Sequence, residues 1–281
     1  MYIFVSDFFL EDLIGGAELT SEAIIDACNL DVQKIHSAHI TLDFIKSNKD
    51  KYWIFGNFSQ LPGKYMYFIS QNIKYSVIEY DYKFCKYRTL EGHVFYENKK
   101  CDCHLEYGKV VTVFYAKAAS LWFMSLKQKH IFEDKLPLLK KQNSHVLSSV
   151  FDKASLKKLK NLKMERNNKW IILNSNSWIK GTQDAISYAK KNNLEYQLID
   201  NLLYDDMLNV LASSKGLIFL PRGGDTCPRI VIEAKLLGCK LILNKNVQHA
   251  EEDWFLNKEK IFGYLSYRAV YFWNQLQGDS L

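Results

Sequence analysis

Two carboxylates stand eight positions apart in the segment PRGGDTCPRIVIEAKLLGCKLIL, which runs from Pro221 to Leu243. The segment reads as a turn, a short amphipathic helix and a strand, with Asp225 just before the helix and Glu233 inside it. Glu233 is set among Ile230, Ile232, Ala234, Leu236 and Leu237. A carboxylate enters such surroundings with a partner: a cation, a hydrogen-bond donor, or a ligand that brings hydroxyls. Pro228 suits the first helical position, where its missing N–H costs nothing, and Gly238 suits the C-terminal cap. The spacing therefore predicts a helix over 228–237, preceded by the loop RGGDTC. Gly223 and Gly224 let the backbone come close to a ligand. The N–H groups over Thr226–Arg229, a stretch that includes Cys227 and Pro228, can receive an anion with help from the helix dipole. Arg222 and Arg229 are the nearby cations. Asp225 and Glu233 could each hold the hydroxyls of a different sugar. The plainer reading is a capping Asp and a Glu paired with a neighbouring Lys or Arg.

Four other stretches carry candidate chemistry. In NSNSWIKGTQDAI, Lys180-Gly181 follows a strand and opens a helix; read alone, Lys180 is a surface lysine. In LIGGAELTSEAI, Gly15-Gly16 opens a helix after the first strand, where backbone can approach a phosphate or an acceptor; read alone, it is a tight turn. Neither G-x-G-x-x-G nor G-x-x-x-x-G-K-[ST] occurs. VIEYDYKFCKYR ends the fourth strand, so Glu79, Asp81, Lys83 and Arg88 are expected to project from the first lobe, with Asp81 the acceptor-side candidate. A salt-bridged loop is the alternative there. Cys85, His93, Cys101, Cys103 and His104 crowd one loop. C-x-C-H departs from the usual C-x2–4-C zinc spacing, so free thiols are expected and no metal site is assigned. His130, His145 and His249 have no partner motif for a nucleophilic triad.

These residues need elements to position them. The chain has 281 residues, 48% hydrophobic and 24% charged, with net charge +6. That is globular composition for one large or two modest domains, and the mild basicity suits anionic ligands or a membrane surface. KASLKKLKNLK reads as a solvated helix face, with an acidic-lipid patch over 153–163 as the sharper alternative. No apolar run is long enough to cross a bilayer. The first residues read as a buried strand, not a signal peptide. The uneven cysteines suit a reducing cytoplasm. The 17 tyrosines and 17 phenylalanines are spread through strands and helices as core, not as a base-stacking platform, so no nucleic acid is expected as partner.

Strands are expected at Tyr2–Ser6, within VQKIHSAHI, at YWIFGNF, at YSVIEYDY and within HVLSSVFD. Helices are expected from about Gly16 to Cys28, at ITLDFIKSN and over Lys109–Lys127. The second half restarts: KWIILNSN, EYQLID, GLIFLP and KLILN as strands, with helices at Gly181–Asn192, at YDDMLNVLASS and over 228–237. Short apolar runs alternating with longer helices indicate parallel sheets covered on both faces. Two such series predict an α/β chain of two Rossmann-like lobes with a cleft between them, residues 1–150 and 151–260. A linker is expected at 153–168, and a terminal helix within 261–281 that packs back on the first lobe.

P-x-x-x-D-x7-E-A, at Pro221, Asp225, Glu233 and Ala234, resembles the E-x7-E segment of family 4 glycosyltransferases, which have the GT-B fold. Lys180-Gly181 resembles that family's Lys-Gly element, and Gly15, Gly16 and Glu18 its GG-x-E element. The resemblance implies a retaining, metal-independent transfer from a nucleotide-sugar, UDP- or GDP-linked, to a glycan, lipid-linked or protein hydroxyl. It implies that Glu233 holds the donor ribose, Asp225 the transferred sugar and Lys180 the diphosphate. A cation at Lys180 would offset the charge that builds on the leaving phosphate. The sequence departs from the family in carrying Asp for the first Glu. It also has Asn174, Ser175 and Asn176 where an upstream Arg is usual, and Tyr80 and Tyr82 where short relatives carry a His. Ser175, Arg222 and Arg229 are then candidates to share the phosphate. Two rivals remain: a degenerate GT-B protein that only binds nucleotide or glycan, and a GT-B epimerase or phosphorylase.

Overall fold

The computed structural model describes residues 1–106 and 108–278. It divides into two compact units, Met1–Asp152 with the segment from Tyr267 onward, and Lys153–Ser266.

The first unit runs β1 (Tyr2–Ser6), α1 (Gly16–Asp26), β2 (Val32–His36), α2 (Leu42–Ser47), β3 (Tyr52–Phe55), α3 (Gly63–Asn72), β4 (Lys74–Glu79), α4 (Leu90–Glu97), α5 (Lys109–Lys117), β5 (Ser120–Phe123), α6 (Leu126–Lys135) and β6 (Ser144–Val146). Its sheet has the order β2-β1-β3-β4-β5-β6, with every pairing parallel. β1, β3 and β5 are buried at every position, which requires cover on both sheet faces and explains their unbroken apolar sequences. Aromatic rings fill this core: Phe114 stacks on Tyr75 at 4.5 Å and meets the edge of Phe55 at 5.0 Å.

The second unit runs α7 (Lys153–Asn161), β7 (Trp170–Leu173), α8 (Thr182–Lys191), β8 (Tyr196–Ile199), α9 (Tyr204–Ala212), β9 (Gly216–Phe219), α10 (Arg229–Leu236), β10 (Lys240–Leu243) and α11 (Lys258–Leu265). Its parallel sheet has the order β10-β9-β7-β8. The chain then returns as α12 (Arg268–Gly278) to the first unit, where Trp273 Nε1 donates to Ile24 O of α1 at 2.8 Å.

Three sequence readings are corrected. The helix expected over Lys109–Lys127 is α5 followed by β5, an inner strand between β4 and β6; Ser-Leu-Trp-Phe is too short for periodicity to separate strand from buried helix. The linker expected at 153–168 begins with α7, whose Leu156 and Leu159 are buried while Lys157 and Lys160 stay exposed. The terminal helix is two helices, α11 and α12, and residues 279–281 lie outside the described residues. No helix among the described residues is long and apolar enough to cross a membrane.

Candidate functional site

In the second sheet the strand order reverses between β7 and β9, and such a reversal opens a crevice beyond the carboxyl ends of the two strands. β7 and β9 pair only at Trp170↔Gly216 and Ile171↔Leu217, whereas each pairs with its outer neighbour over four positions. They part toward their carboxyl ends, where the two best-marked sequence segments emerge.

The segment after β7 returns over the end of β9. Gly181 is left-handed, with φ 64°, and a side-chain carbon there would collide with the carbonyl of Leu220; both conditions select glycine. Arg222 N donates to Ile179 O at 2.9 Å, and Thr182 Oγ1 donates to Leu173 O at 2.9 Å and accepts from Ser175 N at 3.1 Å. The segment after β9 is held from the other side. The amides of Asn244 and Asn246 each donate to Pro221 O at 2.8 Å. Asp225 N donates to Asn246 O at 2.8 Å, and Gln248 N to Asp225 O at 3.0 Å.

These bonds bring two predicted residues together: Lys180 Nζ donates to Asp225 Oδ2 at 2.7 Å. The lysine side chain keeps 31% of its exposure and the aspartate 10%, so the lysine end of the pair is open to water while Asp225 is largely buried. Arg222 instead pairs with Asp184 in the first turn of α8. Gly224, Thr226 and Cys227 are buried in the loop. Pro228, expected as the first helical residue, is instead the N-cap of α10, which begins one position later at Arg229, and Gly238 follows its end with φ 85°.

Glu233 is not stranded. It is 1% exposed, and Tyr204 Oη donates to its Oε1 at 2.8 Å. Arg229 Nε, one helical turn earlier, lies 3.5 Å from the same oxygen. Burial pushes the Glu233 carboxyl up, while Arg229 and the Tyr204 bond pull against it. Tyr204 is the residue that sequence reasoning missed; it comes from α9, 29 positions away, and no local pattern marks it.

In the first unit the strand order reverses between β1 and β3. Asp7, directly after β1, sits there and accepts from Ser59 N at 2.9 Å, Ser59 Oγ at 2.6 Å, Gln60 N at 3.2 Å and the Ser37 hydroxyl. Burial opposes its charge, yet these bonds hold its carboxyl below the ordinary value. Gly15 caps α1 and Gly16 begins it. Glu18 folds back so far that a side-chain carbon on Gly15 would strike its carboxylate. Burial raises the Glu18 carboxyl.

Glu79 and Lys83, expected to project, are buried instead. Glu79 takes Lys83 Nζ at 2.9 Å and the Tyr115 hydroxyl, because the end of β4 has aromatic neighbours on the fold's interior and its charge needs internal partners. Asp81 is partly exposed. Arg88 Nη2 lies 2.6 Å from its carboxylate, its N–H donates to Glu79 at 3.0 Å, and its carbonyl accepts from Gln128 Nε2 at 2.7 Å. Tyr80 and Tyr82 are core residues. Cys85, His93, Cys101 and Cys103 converge; His104 does not join them.

Neither a protein-family model nor the sequence of a curated protein matches the chain. Solved structures do match in fold. One is trehalose-6-phosphate synthase, at 9% identity over 95% of this chain and 90% of that one, with TM-score 0.61. Another is an E. coli structure described as trehalose-6-phosphate bound with UDP-2-fluoro glucose, at 10% identity over 95% and 90%, with TM-score 0.58. A third is an alpha-glucosyltransferase in complex with UDP and a 13-mer DNA containing a HMU base, at 11% identity over 100% and 99%, with TM-score 0.52. At these identities the likeness is one of architecture: the chain is an α/β protein with parallel sheets and the GT-B fold of glycosyltransferases.

Proposed function

We propose that the chain transfers a sugar from a nucleotide-sugar, UDP- or GDP-linked, to a hydroxyl acceptor, with retention at the anomeric carbon, as family 4 enzymes do. The Lys180–Asp225 pair, 2.7 Å long at the point where β7 and β9 part, carries this reading. A diphosphate entering the crevice replaces Asp225 as the partner of Lys180. Asp225 is then released to accept from hydroxyls of the transferred sugar. Charge grows on the diphosphate as the sugar leaves, so the fixed lysine contributes more in the transition state than in the ground state. Lys180 and the N–H groups over Thr226–Arg229 take the part a metal plays elsewhere. The leaving phosphate accepts the acceptor proton, so no separate nucleophile is required of the chain. Asp81, partly exposed and held by Arg88, is the acceptor-side candidate. Neighbouring structures that hold UDP or a UDP-sugar support the donor class.

The acceptor is a glycan, a lipid-linked saccharide or a protein. The exposed lysines of α7 offer a peripheral contact with an acidic membrane. A DNA oligonucleotide belongs in the acceptor panel as well, because one neighbour was solved with DNA. One observation favours a second reading for Glu233: Tyr204 and Arg229 already engage it, so it serves to fix α9 to α10 rather than to hold ribose. A thermal-shift panel of UDP-, GDP-, ADP- and CMP-sugars identifies the donor. Release of nucleoside diphosphate with an acceptor present then separates a transferase from a protein that only binds. Binding without release contradicts the proposal.

A further inference from the structure

The chain between β4 and β5 contains a group that this reaction does not use. Cys85 lies in the turn after β4, His93 on α4, and Cys101 and Cys103 in the stretch before α5. All four are buried, and their ligand atoms lie within 4.8 Å of one another. His93 Nδ1 is 3.4 Å from Cys103 Sγ and 3.8 Å from Cys85 Sγ. A tetrahedral zinc with ordinary Zn–S and Zn–N bonds sets sulfur–nitrogen separations of roughly 3.5–3.6 Å and sulfur–sulfur separations of roughly 3.8 Å. The four atoms are already gathered to nearly that size.

The second ring nitrogen strengthens the case. His93 Nε2 has no hydrogen-bond partner among the described residues and faces the Asp102 carboxylate at 3.8 Å. A carboxylate behind the far nitrogen is how proteins orient a ligating imidazole. The backbone is also shaped for the convergence. Gly108 N donates to Cys103 O at 2.5 Å, and a side-chain carbon on Gly108 would lie 2.5 Å from Phe84 O and 3.0 Å from Cys103 O. Only glycine lets this turn lie against the residue before Cys85.

We propose that Cys85, His93, Cys101 and Cys103 bind one structural Zn2+. Three thiolates and one imidazole select zinc over hard cations such as magnesium or calcium. Four protein ligands leave no open position, which marks a structural and not a catalytic site. On binding, three S–H bonds are exchanged for three Zn–S bonds, Nδ1 gives its lone pair, and three protons pass to solvent. The weak bond from Cys85 Sγ to Thr89 O, 3.4 Å long, is given up in the exchange. No atom changes oxidation state. The metal would tie α4 to the turn after β4, next to the stretch that carries Asp81 and Arg88.

The full chain, reduced, stripped with a chelator and kept anaerobic, is titrated with Zn2+ alone and with Co2+ alone. The expected result is one equivalent bound, three protons released per zinc, thiolate-to-cobalt charge-transfer absorption, and a higher Tm with metal. Cys103→Ser and His93→Ala should weaken zinc binding by more than roughly 100-fold, beyond what loss of an outer partner costs. Cys28→Ser, outside the group, should leave it unchanged. No uptake by the folded wild-type chain overturns the proposal, as does uptake that Cys103→Ser leaves intact. The wild-type titration decides the matter even if the substituted chains fail to fold.

Discussion

Each unit buries one carboxylate beside a tyrosine and a basic residue four positions away: Glu79 with Tyr115 and Lys83, Glu233 with Tyr204 and Arg229. Both acids are 1% exposed. The units differ in what remains at the strand ends. In the first, the Glu79 group continues through Asp81 to Arg88 and Gln128, and Asp7 is saturated by Ser37, Ser59 and Gln60, so the charges there are largely consumed by the fold. In the second, the buried pair stays within α9 and α10, and a separate pair, Lys180–Asp225, stands at the crevice with its lysine partly in water. A charge locked in the interior holds structure. A charge that is positioned but still wet can change partners.

The largest effect expected from this contrast is on stability in the first unit. Lys83→Ala leaves Glu79 buried without its cation and should cost about 3–5 kcal/mol in denaturant unfolding. A loss below about 1 kcal/mol would mean that Glu79 is held neutral by Tyr115 and that the lysine is dispensable.

The second unit has its own closed position. His249 is fully buried, lies 5.4 Å from Trp254 and 4.6 Å from Phe255 by ring centres, and has no hydrogen-bond partner at either nitrogen among the described residues. Burial, helped by Lys235, brings it down to about 3 from 6.5. Below pH 6.5 the unfolded chain takes a proton that the folded chain refuses, so stability falls with pH until about pH 3. The slope is about 1.4 kcal/mol per pH unit at its steepest, or roughly 2–3 kcal/mol between pH 6.5 and 4.5. His249→Phe should remove that part of the slope, and the difference between the two chains isolates it from the carboxylates. Parallel pH profiles would refute the assignment.

A smaller effect distinguishes the two readings of Glu233. Glu233→Gln should weaken nucleotide binding by about 1–3 kcal/mol in calorimetry if ribose hydroxyls reach it. Unchanged affinity would place it with Glu79 as a purely structural acid. The smallest effect is that of Lys180→Ala on folding, expected at about 1 kcal/mol because the lysine keeps part of its hydration even though Asp225 is largely buried. A larger loss would move Lys180 to the closed class and break the contrast.

The sequence made most of the second unit legible, because its short apolar runs alternate with amphipathic stretches and its turns are marked by Gly181, Pro228 and Gly238. Lys180 and Asp225 were singled out for a related reason: each lies in the segment between a strand end and the next helix, after β7 and β9. Glu233 was singled out and its Arg229 partner lay within the plainer reading, whereas Tyr204 lies on another helix and only packing joins the two. The first unit was harder. Its chain crosses from α5 into β5 with no Gly or Pro between, and α4 and α6 have mixed faces that mask their period. The cysteine group was named but assigned no metal because C-x-C-H was weighed as a local spacing, whereas the imidazole that converges on the thiols is that of His93 on α4 and not that of His104. Asp7 was passed over because one acid after a strand carries no pattern.

If Lys180 acts on the departing diphosphate, its removal slows turnover more than it weakens binding. Initial rates of nucleoside diphosphate release at saturating donor are compared for the wild-type chain and Lys180→Ala, with nucleotide affinity measured on the same samples. kcat should fall by roughly 10²–10³, the range for removing one electrostatic stabiliser, with a smaller loss of affinity. Lys180→Arg should not restore the rate, because a planar guanidinium places its donors differently. Equal losses in rate and affinity, or an unchanged rate, would make Lys180 a ground-state contact or an ordinary surface residue.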